Sequence, residues 1–140
     1  MGKLLVLVLA IISIWSCKKD DCIPNSLVSF EDLSESNIDY YIYNKDTLFL
    51  EIPSVVTPNN DSLNDVFITR TNISKSNYVA VDFKLQNKCG ETLYKQHGTF
   101  PFVITDLESM KDGAYNFDFS IVLNDKRLIS GGGVINVVRK

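Results

Sequence analysis

Over the second half of the chain, apolar and polar residues alternate with a period close to two. Val79, Val81, Phe83 and Leu85 fall on one side of an extended segment, and Ala80, Asp82, Lys84 and Gln86 on the other. That is the pattern of a strand with one face buried. Tyr115, Phe117, Phe119, Ile121 and Leu123 repeat it, with Asn116, Asp118 and Ser120 between them. Further strands are predicted over residues 38–43, 47–52, 66–71, 92–95, 100–105 and 128–138. Turn chemistry separates them at Pro58-Asn59-Asn60-Asp61, Asn87-Lys88-Cys89-Gly90, Lys111-Asp112-Gly113 and Asn124-Asp125. Residues 105–112 have room for a single helical turn. Gly131-Gly132-Gly133 lacks the Lys-Ser/Thr pair and the helix of a phosphate loop, and is read as a bulge or hairpin bend leading into the last strand. About seven to nine short strands with little helical periodicity imply an all-β fold, an antiparallel sandwich.

The first sixteen residues break this pattern. Lys3 supplies a positive start, residues 4–12 are an unbroken apolar run of nine, and the small residue Ser16 precedes Cys17. At about 1.5 Å per residue the run reaches less than half of a roughly 30 Å hydrocarbon core, so it is not a spanning helix. Residues 1–16 are expected to be a cleaved signal peptide. Ile14-Trp15-Ser16-Cys17 resembles a bacterial lipobox, with Trp15 in place of the usual small residue. The resemblance implies that Cys17 is the first mature residue and is acylated, holding the protein to outer-membrane lipid. Each buried methylene would contribute about 0.8 kcal/mol, so three chains make a near-permanent anchor. Ordinary secretion, with an unmodified Cys17, is the alternative. Lys19, Asp20 and Asp21, just after the lipid cysteine, resemble the surface-export signal of Bacteroidetes lipoproteins, which implies a cell-surface location. A solvated, charged tether is the plainer account of the same residues.

Removal of residues 1–16 leaves 140 − 16 = 124 residues, enough for one domain with its own core. The division expected is a lipidated N-terminus and tether over residues 17–36 and the sandwich over residues 37–140. Of 14 basic residues one, Lys3, lies in the signal, so 13 basic stand against 17 acidic groups, a net charge of minus 4. With Lys and Arg scattered, there is no basic stripe for nucleic acid. Two cysteines remain, Cys22 and Cys89, in a compartment that permits oxidation. They are either a disulfide or two free thiols, one on the tether and one in a turn.

The densest motif is Ile52-Pro53-Ser54-Val55-Val56-Thr57-Pro58-Asn59-Asn60-Asp61-Ser62-Leu63-Asn64-Asp65-Val66-Phe67. It resembles the opening of the gliding motility-associated C-terminal domain, the type B sorting domain of the type IX secretion system. Asn87-Lys88-Cys89-Gly90-Glu91-Thr92-Leu93-Tyr94, Asp112-Gly113-Ala114-Tyr115 and the closing Gly133-Val134-Ile135-Asn136-Val137-Val138-Arg139 are similar to later landmarks of that family, in its order. The resemblance spans residues 52–139 and implies an Ig-like sandwich. Asn60 and Ser62 stand where the family has glycine and Cys89 where it has tryptophan, so the fold transfers more safely than the recognition. The resemblance also implies a partner, an outer-membrane barrel protein of the PorP/SprF type or another secretion component. In the family the domain follows a large passenger, whereas residues 18–51 leave room for little beyond a tether. A sorting role would be redundant beside a lipid anchor, and the expectation is a binding or accessory subunit of an outer-membrane complex.

The motif also makes physical sense on its own. In the motif loop, which opens at Thr57, Pro58 fixes a turn, and Asn59, Asn60, Asp61, Asn64 and Asp65 carry side chains that bond nearby backbone or tolerate positive φ. Calcium is a second reading of the same oxygen-rich run, though without EF-hand spacing or a closing Glu. A surface glycan-binding module is the alternative function, its platform drawn from Tyr40, Tyr41, Tyr43 and Tyr78, against ordinary cross-strand packing. No Ser or Cys motif marks an activated nucleophile and His97 is the only histidine, so the chain is expected not to be an enzyme. No His/Cys spacing points to a transition metal. Asp46-Thr47-Leu48 and Asp61-Ser62-Leu63 resemble the Bacteroidetes O-glycosylation pattern at Thr47 and Ser62, against ordinary turn chemistry. Asn72-Ile73-Ser74 fits the N-glycosylation pattern but is read as an accident.

Overall fold

The structure, a computed structural model, describes residues 22–23, 40–61 and 64–139. Within them the chain is nearly all β. Ten strands follow in order: β1 (Tyr40–Lys45), β2 (Leu48–Pro53), β3 (Val55–Val56), β4 (Phe67–Ile68), β5 (Arg70–Thr71), β6 (Tyr78–Gln86), β7 (Thr92–His97), β8 (Val103–Ile104), β9 (Gly113–Leu123) and β10 (Leu128–Val137). They form a five-stranded sheet β3-β10-β9-β6-β7, a three-stranded sheet β1-β2-β5 and a pair β4-β8. Every pairing is antiparallel except β3 with β10.

Inward-facing residues of all three sheets meet in one buried cluster, with Phe83 of β6 at its centre. The Phe83 ring lies 4.9 Å from that of Phe102, 5.4 Å from that of Phe67 and 6.0 Å from that of Phe117. Leu50 and Ile52 of β2, Ile121 of β9 and Ile135 of β10 complete the packing. Aromatic pairs at such offsets add about 0.5–1.5 kcal/mol each beyond their burial.

Most of the alternation in β9 runs as expected: Tyr115, Phe117, Ile121 and Leu123 are buried and Asn116 and Asp118 exposed, while Phe119 and Ser120 are both half-buried. In β6, Val81, Phe83 and Leu85 are buried, but Val79 is 67% exposed. The register explains the difference. Tyr78 pairs with Leu123 and Ala80 with Val122, so two residues of β6 oppose one of β9. A bulge of this kind resets the phase and turns Val79 outward. The predicted strand 66–71 divides at Thr69, because its halves have different partners: β4 pairs with β8 and β5 with β2. At the division, the buried Thr69 accepts the Phe102 amide on Oγ1 at 3.0 Å and donates its own amide to the Phe102 carbonyl at 3.1 Å.

Gly131-Gly132-Gly133 is neither a bulge nor a bend. The β9–β10 register runs unbroken from Leu128 opposite Val122 to Val137 opposite Gly113. Gly131 lies opposite Phe119 and Gly133 opposite Phe117. A Cβ on Gly133 would come within 2.6 Å of Tyr41 Cζ and 2.9 Å of Phe117 Cε1. The missing side chains are the space into which these rings pack.

Strand directions set the two ends of the domain. β6 runs into the turn at residues 87–91, and β9, antiparallel to it, starts at that same end. β10 returns to it, and β3, parallel to β10, leads there into residues 57–65. The opposite end carries the β1–β2 hairpin, the turn at residues 74–77 and the β9–β10 turn. Asp46 and Thr47 in that hairpin both have positive φ, 52° and 67°, the conformation of a two-residue type I′ connection.

Candidate functional site

The Thr57 amide donates to the Asn64 carbonyl at 2.9 Å, closing the base of the motif loop. Inside it, Asp65 Oδ1 accepts the amides of Asn59 and Asn60, each at 2.8 Å. Asn59 Oδ1 accepts the Asp61 amide at 3.1 Å, and Asn59 Nδ2 donates to Asp61 Oδ2 at 2.9 Å. Asn60 and Asn64 take positive φ, 63° and 56°, as Asn tolerates better than most residues. Thr57 and Pro58 are buried, so the loop is rooted in the fold while Asn60 and Asp61 are exposed. Ser62 and Leu63 lie outside the described residues. Among the described residues, no three His, Cys, Asp or Glu side chains converge.

At the same end, Cys22 is disulfide-bonded to Cys89, their Cα atoms 5.2 Å apart. Asn87, itself buried, builds the turn that presents Cys89. Its Oδ1 accepts the amides of Cys89 and Glu91, each at 3.0 Å, while its Nδ2 donates to Glu91 Oε2 at 3.0 Å. Gly90 completes the turn at φ 80°. The Lys88 amide donates to the Cys22 carbonyl at 2.8 Å, and Ile23 packs against the core. Cys17, Lys19, Asp20 and Asp21 lie outside the described residues.

Beside Ile23 opens a cavity of about 430 Å³, lined chiefly by Leu93, Tyr94, Val103, Met110 and Tyr115. Burial pushes the phenols of Tyr94 and Tyr115 up from their ordinary value. For Tyr115, Asp112 adds to that rise, while Arg139 and the hydrogen bond to Lys111 oppose it. Tyr94 Oη donates to the Val103 carbonyl at 2.7 Å, and Tyr115 Oη to the Lys111 carbonyl at 2.6 Å.

The four tyrosines do not share one surface. Tyr43 and Tyr78 pack against the core, and Tyr78 meets Phe100 edge-on. Tyr41 is 40% exposed and sets its ring edge-on to Phe117 at 5.3 Å. Its hydroxyl accepts the Val134 amide at 3.0 Å and donates to the Val134 carbonyl at 3.1 Å. The Tyr40 ring lies under the Arg70 guanidinium at 5.4 Å.

Tyr41 and Val134 mark an incomplete edge. Asn136 and Val138 donate their amides to the carbonyls of Ser54 and Val56, so even-numbered positions of the β10 segment turn their backbone groups toward β3. Among the described residues β3 pairs only with Asn136 and Val137. Val134 finds Tyr41 where a strand would continue, and Ser130 and Gly132 share its parity beyond the end of β3. Among the described residues β1 is likewise an edge strand, paired only with β2, and its Ile42 is 68% exposed. Sequence periodicity could not locate this edge, because it arises from where β3 stops.

Thr47 stands exposed at the hairpin tip, its carbonyl accepting Asn72 Nδ2 at 2.6 Å. Asn72 Oδ1 accepts the Phe49 amide at 2.9 Å, so this side chain braces the hairpin. His97 Nδ1 lies 2.6 Å from Asp82 Oδ1 on the exposed face of β6 and β7. Comparisons with protein families, curated proteins and solved structures return no match for the chain.

Proposed function

We propose that this chain is a non-enzymatic, lipid-anchored surface protein of the outer membrane. Its folded part is read as an Ig-like sandwich of the gliding motility-associated C-terminal type. It serves as an accessory subunit of an outer-membrane complex linked to type IX secretion or gliding. The sandwich reading draws on the β3-β10-β9-β6-β7 order, with β1-β2-β5 and β4-β8 contributing to the same core. It draws also on Tyr115, whose hydroxyl bonds a backbone carbonyl four residues upstream, as in the tyrosine corner of such folds. The anchor reading draws on the lipobox resemblance at Cys17.

The observation that carries the binding role is the incomplete edge of β10 beside the edge strand β1. An extended segment of a partner can continue the line of β3 past Val134, pairing with the outward backbone groups of Ser130 and Gly132. Main-chain bonds would supply affinity and side-chain pockets specificity. The adjoining hollow, lined by Tyr41, Ile42, Tyr43, Gly131 and Gly132 among others, offers about 190 Å³ for such side chains.

The test is affinity purification of a C-terminally tagged copy from outer membranes in mild detergent, followed by mass spectrometry. A barrel protein or secretion component is expected, lost in Cys17→Ala. Ser130→Pro, which removes an outward amide and spares the β9 ladder, should release the partner while the domain stays folded. Recovery of the native protein as a monomer, with nothing attached after mild crosslinking, would sink the proposal.

A further inference from the structure

The disulfide sets the length of the leash. Cys22 is bonded to Cys89 and its carbonyl to the Lys88 amide, so residue 22 is fixed to the turn at residues 87–91. Cys17 precedes it by five residues. Five residues reach at most about 18 Å even fully extended. Without the disulfide and the packing at Ile23, the next described residue is Tyr40, 23 residues after Cys17, which sets an upper bound of about 80 Å on the reach. The domain is itself about 35 Å long, from the eleven residues of β9 at a strand rise of ~3.3 Å. The bonded leash is shorter than the domain, and the unbonded one more than twice as long.

We infer that the Cys22–Cys89 disulfide holds the domain in one orientation on the bilayer. The end carrying residues 87–91 faces the lipid headgroups, and the β1–β2 and β9–β10 hairpin turns face away. This rests on acylation of Cys17. The loop at residues 57–65 and the segment at residues 105–112 share the disulfide end, so both lie against the lipid surface. The motif loop therefore meets the membrane plane, and not the cell exterior. The edge at Ser130 and Gly132, unpaired among the described residues, stands in the half of β10 nearer the outer end, where a partner's extracellular segment can reach it.

The test uses the full acylated protein in vesicles with acceptor-labelled headgroups. A fluorescent amino acid is placed at Glu108, at the disulfide end, or at Lys75, at the opposite end; both residues are exposed. Energy transfer from Glu108 should exceed that from Lys75 several-fold. The difference should collapse in Cys22→Ser/Cys89→Ser. It should collapse equally in a second variant that keeps the disulfide but carries a flexible Gly/Ser insert of about twenty residues between Asp21 and Cys22. That variant preserves the fold's cross-link, so its result does not depend on how the reduced protein folds. Equal transfer from both positions in the native protein overturns the orientation, and a difference that survives the insert overturns the disulfide leash as its cause; neither result touches the anchor. Protein that fails to float with the vesicles, or that floats equally well as Cys17→Ala, overturns the anchor and the orientation with it.

Discussion

The hydroxyl of Tyr41 takes both backbone groups of Val134, accepting from its amide and donating to its carbonyl. One side chain thus does at a single residue what β3 does for Asn136 and Val137. The contact requires Gly133, since a Cβ there would press on the ring from 2.6 Å. Tyr41→Phe should cost about 1 kcal/mol in urea denaturation, because water can reach the released groups. Gly133→Ala should cost more, about 1–3 kcal/mol by overpacking. Gly131→Ala should cost less than Gly133→Ala, its Cβ meeting only the half-buried Phe119 ring at 3.0 Å. Equal penalties at the two glycines would show that Tyr41 does not set the requirement.

Reduction should destabilise the fold strongly. The bond joins positions 67 residues apart, and the chain-entropy account assigns such a loop about 4 kcal/mol. Denaturation with and without reductant should differ by up to that amount, and Cys22→Ser/Cys89→Ser should behave as the reduced protein. A variant as stable as the oxidised chain would mean that the turn built by Asn87 is held without the bond.

The faces of β6 and β9 were legible because alternation is a local property and both strands are long. Val79 was misread because a bulge belongs to a pair of strands: its place depends on Val122 and Leu123 across the ladder. Residues 66–71 read as one strand because nothing in their composition records that Thr69 changes partners between β8 and β2. Gly131-Gly132-Gly133 suggested irregular backbone. Its meaning lies instead in the volumes of Phe117, Phe119 and Tyr41, two of them across one ladder and one on a distant hairpin. The motif loop was legible as a turn from its Asn and Asp content. That Asp65, at its far end, organises the loop follows only from its two amide bonds.

Asp65 is accordingly the residue whose loss should open that loop. Asp65→Ala removes a carboxylate acceptor from two amides and should cost about 2 kcal/mol, within the range for charged hydrogen bonds. Asp65→Asn keeps an acceptor and should cost less. Thermal unfolding of the three proteins gives the order. Because Oδ1 is engaged by backbone amides, added calcium should leave the melting temperature unchanged; a rise on titration would establish the loop as a cation site.

Alkaline pH should loosen the disulfide end first through Tyr115. Its phenol is raised from the ordinary value of about 10 by burial, and it donates its proton to the Lys111 carbonyl. A phenolate can no longer donate, so the protonated form belongs to the folded state. With the folded pKa above the unfolded one, the contribution is fully present below about pH 10 and is lost as pH rises through the higher folded value. Tyr94, raised by burial and bonded to the Val103 carbonyl, acts with the same sign on the same cavity. Stability measured by denaturant between about pH 8 and 11.5 should fall in the wild type above pH 10. Tyr115→Phe should start about 1 kcal/mol lower at neutral pH and fall less steeply. Parallel curves for the two proteins would place the alkaline transition elsewhere, and Tyr94→Phe would then be the variant to flatten it.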